Sequence, residues 1–394
     1  MRRVAADHLE RSQPLAANDS YAARRRPDDG GIRMKQLLAT LAIAQACVVA
    51  PAIGRPADAD PVYPGKAWMK IEDPGAFGWS PSGIAEFRAQ LKRTHAESVV
   101  AVYQGRVLFE YGDVAHPMLL ASVRKSLLSM MYGNYVANGS IKLDATLADL
   151  DIDDVGGLSP KEKQATVRDL LRARSGVYHP AANKGDDSEQ APRRDSQVHG
   201  TYFLYNNWDF NALGTIFEKQ TGQNIYDAFQ RDYAKPLQMQ DFKRSEQVKE
   251  RRDDLSIHPA YHFHLSARDL ARVGWLMLRQ GNWDGHQLVP RDWVEDTTRV
   301  VTPALDMHPP GLRKGPMGYG YLWWVWDSRW AKGPYEGAYT GHGNNGQFIT
   351  VMPALGLVVA FETPQGAGNK IVLSQYLGLL EALVKSRCGE TPCK

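Results

Sequence analysis

Short apolar runs bounded by turn residues lie on both sides of a long central region, and they predict strands at both places. Residues 98–103 and 106–111 are rich in β-branched and aromatic residues and are joined by Gln104-Gly105. Two such runs with a short glycine-containing connection predict a β-hairpin. Further strand-like runs follow toward the C-terminus at 320–326, 347–352 and 356–362.

Apolar residues recur at helical spacing through most of the remaining chain. The segments predicted to be helical are 84–94, 122–136, 145–175, 210–220, 225–233, 267–279, 291–297 and 372–385. Residues 180–199 are polar and aperiodic, which predicts an exposed loop. Strands on both sides of a helical region predict an α/β (α+β) fold: one antiparallel sheet flanked by helices, plus a helical subdomain that leaves a cleft at the sheet edge.

The charge of the chain is concentrated at its N-terminus. The formal net charge is +3, but the first 59 residues hold nine Lys/Arg and six Asp/Glu, which leaves 38 of each from Asp60 onward. An electroneutral body offers no basic surface for the phosphate backbone. We therefore expect no nucleic-acid partner.

The N-terminal residues have the pattern of an export signal behind an unusual extension. Residues 34–59 start with Met-Lys, continue through an apolar stretch and end in a small-residue pattern that suits cleavage. A membrane anchor is the alternative, but about 14 apolar residues are fewer than the roughly 20 needed to span a bilayer. We interpret 1–33 as a non-native extension, 60–385 as the mature domain and 386–394 as its tail, in the periplasm or secreted.

Two cysteines, Cys388 and Cys393, remain after cleavage. In an oxidising compartment this short loop can close as a disulfide. Metal binding by two thiolates is the alternative, but no further cysteine completes such a site. We expect a terminal disulfide and no metal or organic cofactor.

The first chemical motif is Ser122 and Lys125 at the start of a strongly apolar predicted helix. Residues three apart share a helix face, about 5–6 Å from each other, so the lysine amine can approach the serine hydroxyl. A serine at a helix N-terminus also has a free backbone N–H near the positive end of the helix dipole. Both features suit a nucleophile that attacks a carbonyl. The structural alternative is an N-cap serine beside a solvated lysine.

The second motif is Tyr205 and Asn207, just before another predicted helix. A phenol beside the lysine can share its proton and serve in acid–base catalysis, and the asparagine can hold the lysine or a substrate amide. Residues 132–134 have the same Tyr-x-Asn pattern. They lie about 15 Å further along the helix that starts at Ser122, so we interpret them as structural.

The third motif is Gly341-His342-Gly343-Asn344, followed by a predicted strand. Glycines here would let a substrate carbonyl lie close to an edge strand. The backbone N–H of Asn344 is then a candidate oxyanion donor beside that of Ser122. A plain Gly/Asn-rich turn is the alternative.

In this order the three motifs resemble those of the serine β-lactamase/penicillin-recognising superfamily. Class C β-lactamases, related esterases and 6-aminohexanoate-dimer hydrolase-like enzymes are the most similar groups. The resemblance covers roughly residues 75–384 and includes the segments 265–274 and 318–324. It implies a β-lactamase/transpeptidase-like fold.

Carried over by position, the resemblance implies that Ser122 is the nucleophile, with Lys125 and Tyr205 as its acid–base partners. The third motif departs from the pattern, because the family usually has Lys-Thr-Gly there and this chain has Gly341 in place of the lysine. The neighbouring His342 supplies at most a titratable charge. We therefore expect an ester or amide substrate that lacks the carboxylate which this lysine holds.

Two other enzyme classes and one binding class are the rivals. A penicillin-binding D-Ala-D-Ala peptidase or β-lactamase would form a penicillin adduct, and a non-catalytic binder would need no Ser122. Histidines 258, 262 and 264 suggest a metal site, but no carboxylate or cysteine at a suitable spacing completes it, so a polar lining of the cleft is the preferred interpretation. The tryptophans at 323, 324 and 326 are interpreted as core plus one exposed face rather than as a carbohydrate platform.

Overall fold

The computed structural model describes residues 62–183, 185, 187–364, 366, 368, 370–389 and 393. The helices in this part of the chain are α1 (Pro81–Leu91), α2 (Val123–Ala137), α3 (Val167–Leu171), α4 (Asn207–Thr221), α5 (Ile225–Phe229), α6 (Ala267–Leu278), α7 (Arg291–Thr298) and α8 (Leu373–Lys385). A π-helical turn, Gln230–Ala234, follows α5.

The strands are β1 (Ser98–Tyr103), β2 (Arg106–Gly112), β3 (Met118–Leu119), β4 (Val248–Arg252), β5 (Ser256–His262), β6 (His264–Leu265), β7 (Asn282–Trp283), β8 (His286–Gln287), β9 (Met317–Tyr319), β10 (Trp324–Trp326), β11 (Tyr339–Gly343), β12 (Gln347–Met352) and β13 (Leu357–Glu362). Seven of them form one sheet in the order β2-β1-β13-β12-β11-β10-β9. All neighbours in this sheet pair antiparallel.

The sheet joins the two ends of the domain, as the sequence predicted. The predicted hairpin forms from β1 and β2, and the other edge of β1 pairs with β13 near the C-terminus. The chain between β2 and β9 supplies helices α2 to α7 and the small sheets β3-β6, β4-β5 and β7-β8. The predicted fold class is confirmed.

Apolar layers cover both faces of the sheet. All six residues of β1 are buried. Val100 and Val102 belong to the larger core with α2, α4 and α6, whereas Val99 and Ala101 belong to a second core with α1 and α8. Because successive strand side chains point to opposite faces, a strand buried on both sides is apolar throughout rather than alternating.

The prediction of helix over 145–175 is wrong for most of that region. It contains a short 3-10 turn at Glu162–Gln164 and the five-residue α3, and the rest is irregular. The carboxylates of Asp153 and Asp154 accept backbone N–H groups, from Leu158 at 2.6 Å and from Val155 at 2.7 Å. Such local bonds stabilise turns in competition with a helix.

The predicted strand 320–326 is also wrong in part, because only its last three residues form a strand, β10, and residues 320–323 form a tight turn between β9 and β10. Leu322 has a φ of 62° in this turn. A Cβ on Gly320 would lie 2.2 Å from the carbonyl oxygen of Thr297, so only glycine allows this approach.

The predictions for the chain ends have different outcomes. Cys388 and Cys393 form a disulfide, with their Cα atoms 5.7 Å apart. The extension 1–33 and the export signal 34–59 lie outside the described residues. Among the helices that the structure describes, none has the length and apolar character needed to cross a bilayer.

Candidate active site

Ser122 lies directly before α2, a core helix of which 12 of 15 residues are buried. Its hydroxyl makes no capping hydrogen bond, so the N-cap alternative does not hold for this side chain. Ala121 has a φ of 46°, a left-handed conformation that residues with a Cβ rarely adopt. Backbone strain of this kind clusters at functional sites. The strained turn leaves the Ser122 hydroxyl partly exposed at the tip of a rigid helix.

Lys125 joins the serine to the tyrosine. Its Nζ lies 2.7 Å from Ser122 Oγ and 2.7 Å from the hydroxyl of Tyr205. The lysine is only 1% exposed, and its Nζ lies 4.4 Å from the ring centroid of Tyr205 and 4.7 Å from that of Phe210. Hydroxyl oxygens and aromatic faces therefore surround this nitrogen in place of bulk water.

Tyr205 is held in place by the start of α4. Asn206 caps this helix by accepting a hydrogen bond from the backbone N–H of Trp208, and its amide donates to the carbonyl of Val177 at 2.6 Å. The Tyr205 ring stacks on Trp324 at a centroid distance of 5.4 Å. These contacts keep the phenol rigid, 80 residues away in sequence from the lysine it contacts.

The third motif forms the end of β11, against the N-terminal end of α2. A Cβ on Gly341 would lie 3.0 Å from Ser126 Oγ and 2.8 Å from a methyl group of Ile349. A Cβ on Gly343 would lie 2.8 Å from the carbonyl oxygen of Leu120, two residues before Ser122. The strand therefore approaches the nucleophile too closely for a side chain at either position, and a lysine does not fit at 341.

We predict that Gly343→Ala lowers kcat at least tenfold, because the new methyl group must push β11 away from the carbonyl oxygen of Leu120. This oxygen belongs to the backbone and cannot rotate aside. Moving a catalytic group by about 1 Å is enough for an effect of this size. Gly311→Ala is the control, since a Cβ there meets nothing within 4 Å. Steady-state kinetics of both variants test this, and equal activities would remove the third motif from the site.

His342 lies between these glycines, and its ring stacks on Phe348 at a centroid distance of 4.8 Å. Burial, followed by the positive charges of Lys370 and Lys125, lowers the pKa of His342 to about 4. The imidazole is therefore neutral at neutral pH. The sequence allowed a titratable positive charge on His342, but in the structure the histidine carries no charge at neutral pH.

A pH-dependent contribution to stability follows from this lowered pKa. Unfolded histidine takes up a proton near pH 6.5 but folded His342 does so only near pH 4, so stability falls as the pH drops between these values. We expect wild-type protein to lose about 2 kcal/mol more than His342→Phe between pH 7 and pH 4. Urea unfolding at both pH values measures this, with the exposed His116→Gln as control. Equal losses in wild type and His342→Phe would contradict it.

The loop between α3 and α4 lies close to both Asn207 and Asn344. The Asn207 amide nitrogen is 3.5 Å from the carbonyl oxygen of Asn183. On the other side, a Cβ on Gly185 would lie 2.8 Å from the Asn344 amide nitrogen. This loop, predicted only as an exposed polar segment, is therefore part of the site.

Sequence reasoning missed three residues that shape the site. Trp324 belongs to the trio interpreted as core plus one exposed face, but its stacking on the catalytic candidate Tyr205 was not predicted. Asn206 could have been found, because asparagine before a helical pattern indicates an N-cap. No local sequence pattern indicates a role for Asn183. It accepts a hydrogen bond from Asn211 at 3.0 Å, a contact that depends on the tertiary fold.

The histidines at 258, 262 and 264 have separate partners. His258 is 1% exposed and its Nδ1 lies 3.0 Å from the hydroxyl of Thr215 on α4, whereas His262 Nε2 lies 3.0 Å from Glu250 on the paired strand β4. His264 lies on β6, opposite Leu119 of β3. The prediction that these histidines line the cleft is wrong for His258, and it stays a prediction for the other two. No group of three metal-ligating side chains is found among residues that the structure describes.

Comparison with known proteins identifies the family. The Beta-lactamase family model matches residues 85–380, about three quarters of the chain. A search of curated proteins finds no match.

Solved structures support the same fold at low sequence identity. A Bacillus anthracis protein assigned as a 6-aminohexanoate-dimer hydrolase is 16% identical with a TM-score of 0.60, covering 81% of this chain and 86% of that one. A family VIII carboxylesterase is 15% identical with a TM-score of 0.58, covering 81% and 99%. A penicillin-binding protein homologue from Caulobacter crescentus is 17% identical with a TM-score of 0.57, covering 78% and 99%. The chain belongs to the beta-lactamase family of serine hydrolases.

Proposed function

We propose that the protein is an exported serine hydrolase that cleaves an ester or amide through an acyl-enzyme on Ser122. The observation that carries this proposal is the position of one buried amine, Lys125 Nζ, at 2.7 Å from both Ser122 Oγ and the Tyr205 hydroxyl. A nucleophile needs a proton acceptor within hydrogen-bond reach, and a base needs a second group that orients it. A binding protein on the same fold needs neither.

In the proposed mechanism Ser122 Oγ attacks the substrate carbonyl while its proton passes to the Lys125–Tyr205 pair. The acceptor is either the neutral Lys125 amine or the Tyr205 phenolate, because both lie on one hydrogen-bonded path. Tyr205 then protonates the leaving alcohol or amine. In the second half of the reaction water attacks the acyl-enzyme and gives a proton to the pair, and the pair passes a proton to Ser122 Oγ as the carboxylic acid leaves.

The oxyanion would be held by the backbone N–H groups of Ser122 and Asn344. Neither N–H donates to a protein acceptor within the described part of the chain. The close approach of Gly343 to Leu120 brings the two segments together. One such donor typically contributes about 3–4 kcal/mol to the transition state.

The substrate class follows from what the third motif lacks. Gly341 occupies the position of the family's carboxylate-binding lysine, and the neighbouring His342 is neutral at neutral pH. An ester or amide that needs no cation at this position is therefore the proposed substrate. The similar structures include a carboxylesterase and a protein assigned as a 6-aminohexanoate-dimer hydrolase, which suits this choice.

Export to the periplasm or the medium is part of the same proposal. Residues 34–59 have a basic start, an apolar stretch and a small-residue end. The disulfide between Cys388 and Cys393 suits an oxidising compartment. No cofactor is required by the mechanism.

A substrate panel tests the proposed function. We expect turnover of 4-nitrophenyl esters or anilides, and much slower turnover of a chromogenic cephalosporin. Rapid cephalosporin hydrolysis, or a long-lived penicillin adduct, would favour the β-lactamase or peptidase alternative. No turnover and no covalent adduct with any of these compounds would favour a binding protein.

A further inference from the structure

A cationic cluster lies near the Tyr205 wall of the site and takes no part in the mechanism above. It consists of Arg174, Tyr202, His308 and Arg313, and we call it the Tyr202–His308 cluster. The rings of Tyr202 and His308 stack with centroids 4.1 Å apart and planes 17° apart. All four side chains are partly exposed, so the cluster is open to solvent.

The two guanidinium groups of the cluster are fixed by neutral acceptors. Arg313 donates through Nε to the carbonyl of Met307 at 2.8 Å, and its Nη2 lies 3.1 Å from His308 Nδ1. Arg174 donates through Nε to the hydroxyl of Thr302 at 2.9 Å. These bonds orient both groups without neutralising them.

Neither guanidinium forms an ion pair with a carboxylate within the described residues. Burial lowers the pKa of Arg174, an effect that the more distant charge of Asp306 opposes. The pKa of His308 is lowered by burial and then by the positive charges of Arg313 and Arg174. Both guanidinium groups are therefore close enough to the same imidazole to act on it. Two fixed cations without a carboxylate ion pair in the described residues, both beside the same ring, favour an anion between them.

The cluster is close enough to the nucleophile to bind the remote end of a substrate. Tyr202 is three residues before Tyr205, which places their Cα atoms within about 11 Å. Arg174 is tied to the same segment, because its Nη1 lies 3.4 Å from the carbonyl oxygen of Gly200 and 3.3 Å from that of Thr201. A substrate acylating Ser122 could therefore extend past Tyr205 to this cluster.

We propose that the Tyr202–His308 cluster is a subsite for a carboxylate carried by the substrate, remote from the scissile bond. This rests on the proposed function. Arg174 and Arg313 bind the carboxylate oxygens, while the stacked rings of Tyr202 and His308 form the floor beside them. The substrate is then an ester or amide of a medium-length acid with a free carboxylate at its far end, anchored here instead of at the third motif.

A pair of esters tests this subsite. Mono-4-nitrophenyl suberate has a free terminal carboxylate, and its methyl ester is a neutral match of nearly the same length. We expect Arg174→Ala and Arg313→Ala each to raise KM for the carboxylate ester roughly tenfold or more, and to change the neutral ester by less than about twofold. Arg174→Lys, which keeps the charge, should recover part of the loss. Arg93→Ala, an exposed arginine elsewhere, is the control.

Equal losses for both esters in Arg174→Ala and Arg313→Ala would show a structural role and overturn the proposal.

A second measurement does not depend on turnover: calorimetric binding of suberate to Ser122→Ala, with and without Arg174→Ala. We expect binding that the second substitution weakens at least tenfold, and unchanged binding overturns the subsite. If neither esters nor anilides are hydrolysed, the proposed function fails, and calorimetry alone still decides on the cluster. Inorganic phosphate binding as tightly as suberate would indicate a site for free anions and would also overturn it.

Discussion

Ser122→Ala is expected to lower kcat for the best ester substrate by roughly 10⁴-fold or more, because it removes the only atom proposed to form a covalent bond with the substrate. The Ser122 hydroxyl contacts Lys125 and makes no capping bond, so its loss costs little stability. The melting temperature should therefore change by only a few degrees while turnover is lost.

A matched control for this variant lies on the same helix. Ser129→Ala removes a fully buried hydroxyl two turns further along α2 and should leave kcat within about twofold of wild type. Initial rates over a range of ester concentrations measure both variants. Near-normal turnover in Ser122→Ala, or an equal loss in both, would exclude Ser122 as the nucleophile.

Tyr205→Phe is expected to lower kcat by about 10²- to 10⁴-fold, since it removes the general acid–base hydroxyl but keeps the ring. The ring can still stack on Trp324 and pack against Phe210, so the free energy of unfolding should fall by no more than about 1 kcal/mol. A large loss of kcat with a small change in stability is the predicted combination.

Tyr132→Phe provides the opposite combination and tests the rival Tyr-x-Asn motif directly. The Tyr132 hydroxyl donates to the carbonyl of Leu213 at 2.7 Å in the buried core. Its removal should lower the free energy of unfolding by about 1–2 kcal/mol and leave kcat nearly unchanged. If Tyr132→Phe loses activity and Tyr205→Phe does not, the second motif has been assigned to the wrong tyrosine.

Local pattern was enough to predict the elements that carry the site. The hairpin β1-β2 and the start of α2 depend on nearby residues, and the spacing of Ser122 and Lys125 is set by the helix repeat. The relation of Tyr205 to Lys125 is not local. Its prediction depended on a family resemblance, and the measured 2.7 Å contact is produced by the packing of α4 beside α2.

The rest of the site depends on contacts that leave no local pattern. The orientation of Trp324 follows from the turn at Leu322, which replaces the first part of the predicted strand. The lowered pKa of His342 depends first on burial and then on Lys370, a residue 28 positions away in the loop before α8. The irregular region 145–175 has apolar residues at helical spacing, which is why a helix was predicted there. Its turns are instead stabilised by aspartate carboxylates that accept backbone N–H groups.

Covalent labelling tests the central claim most directly: that Ser122 is an activated nucleophile. The purified protein would be incubated with a fluorophosphonate, weighed intact by mass spectrometry, and digested to locate the adduct. We predict one adduct per chain, on Ser122, absent from Ser122→Ala and formed much more slowly in Tyr205→Phe. Labelling at a different serine, or none while the protein is folded, would contradict the mechanism.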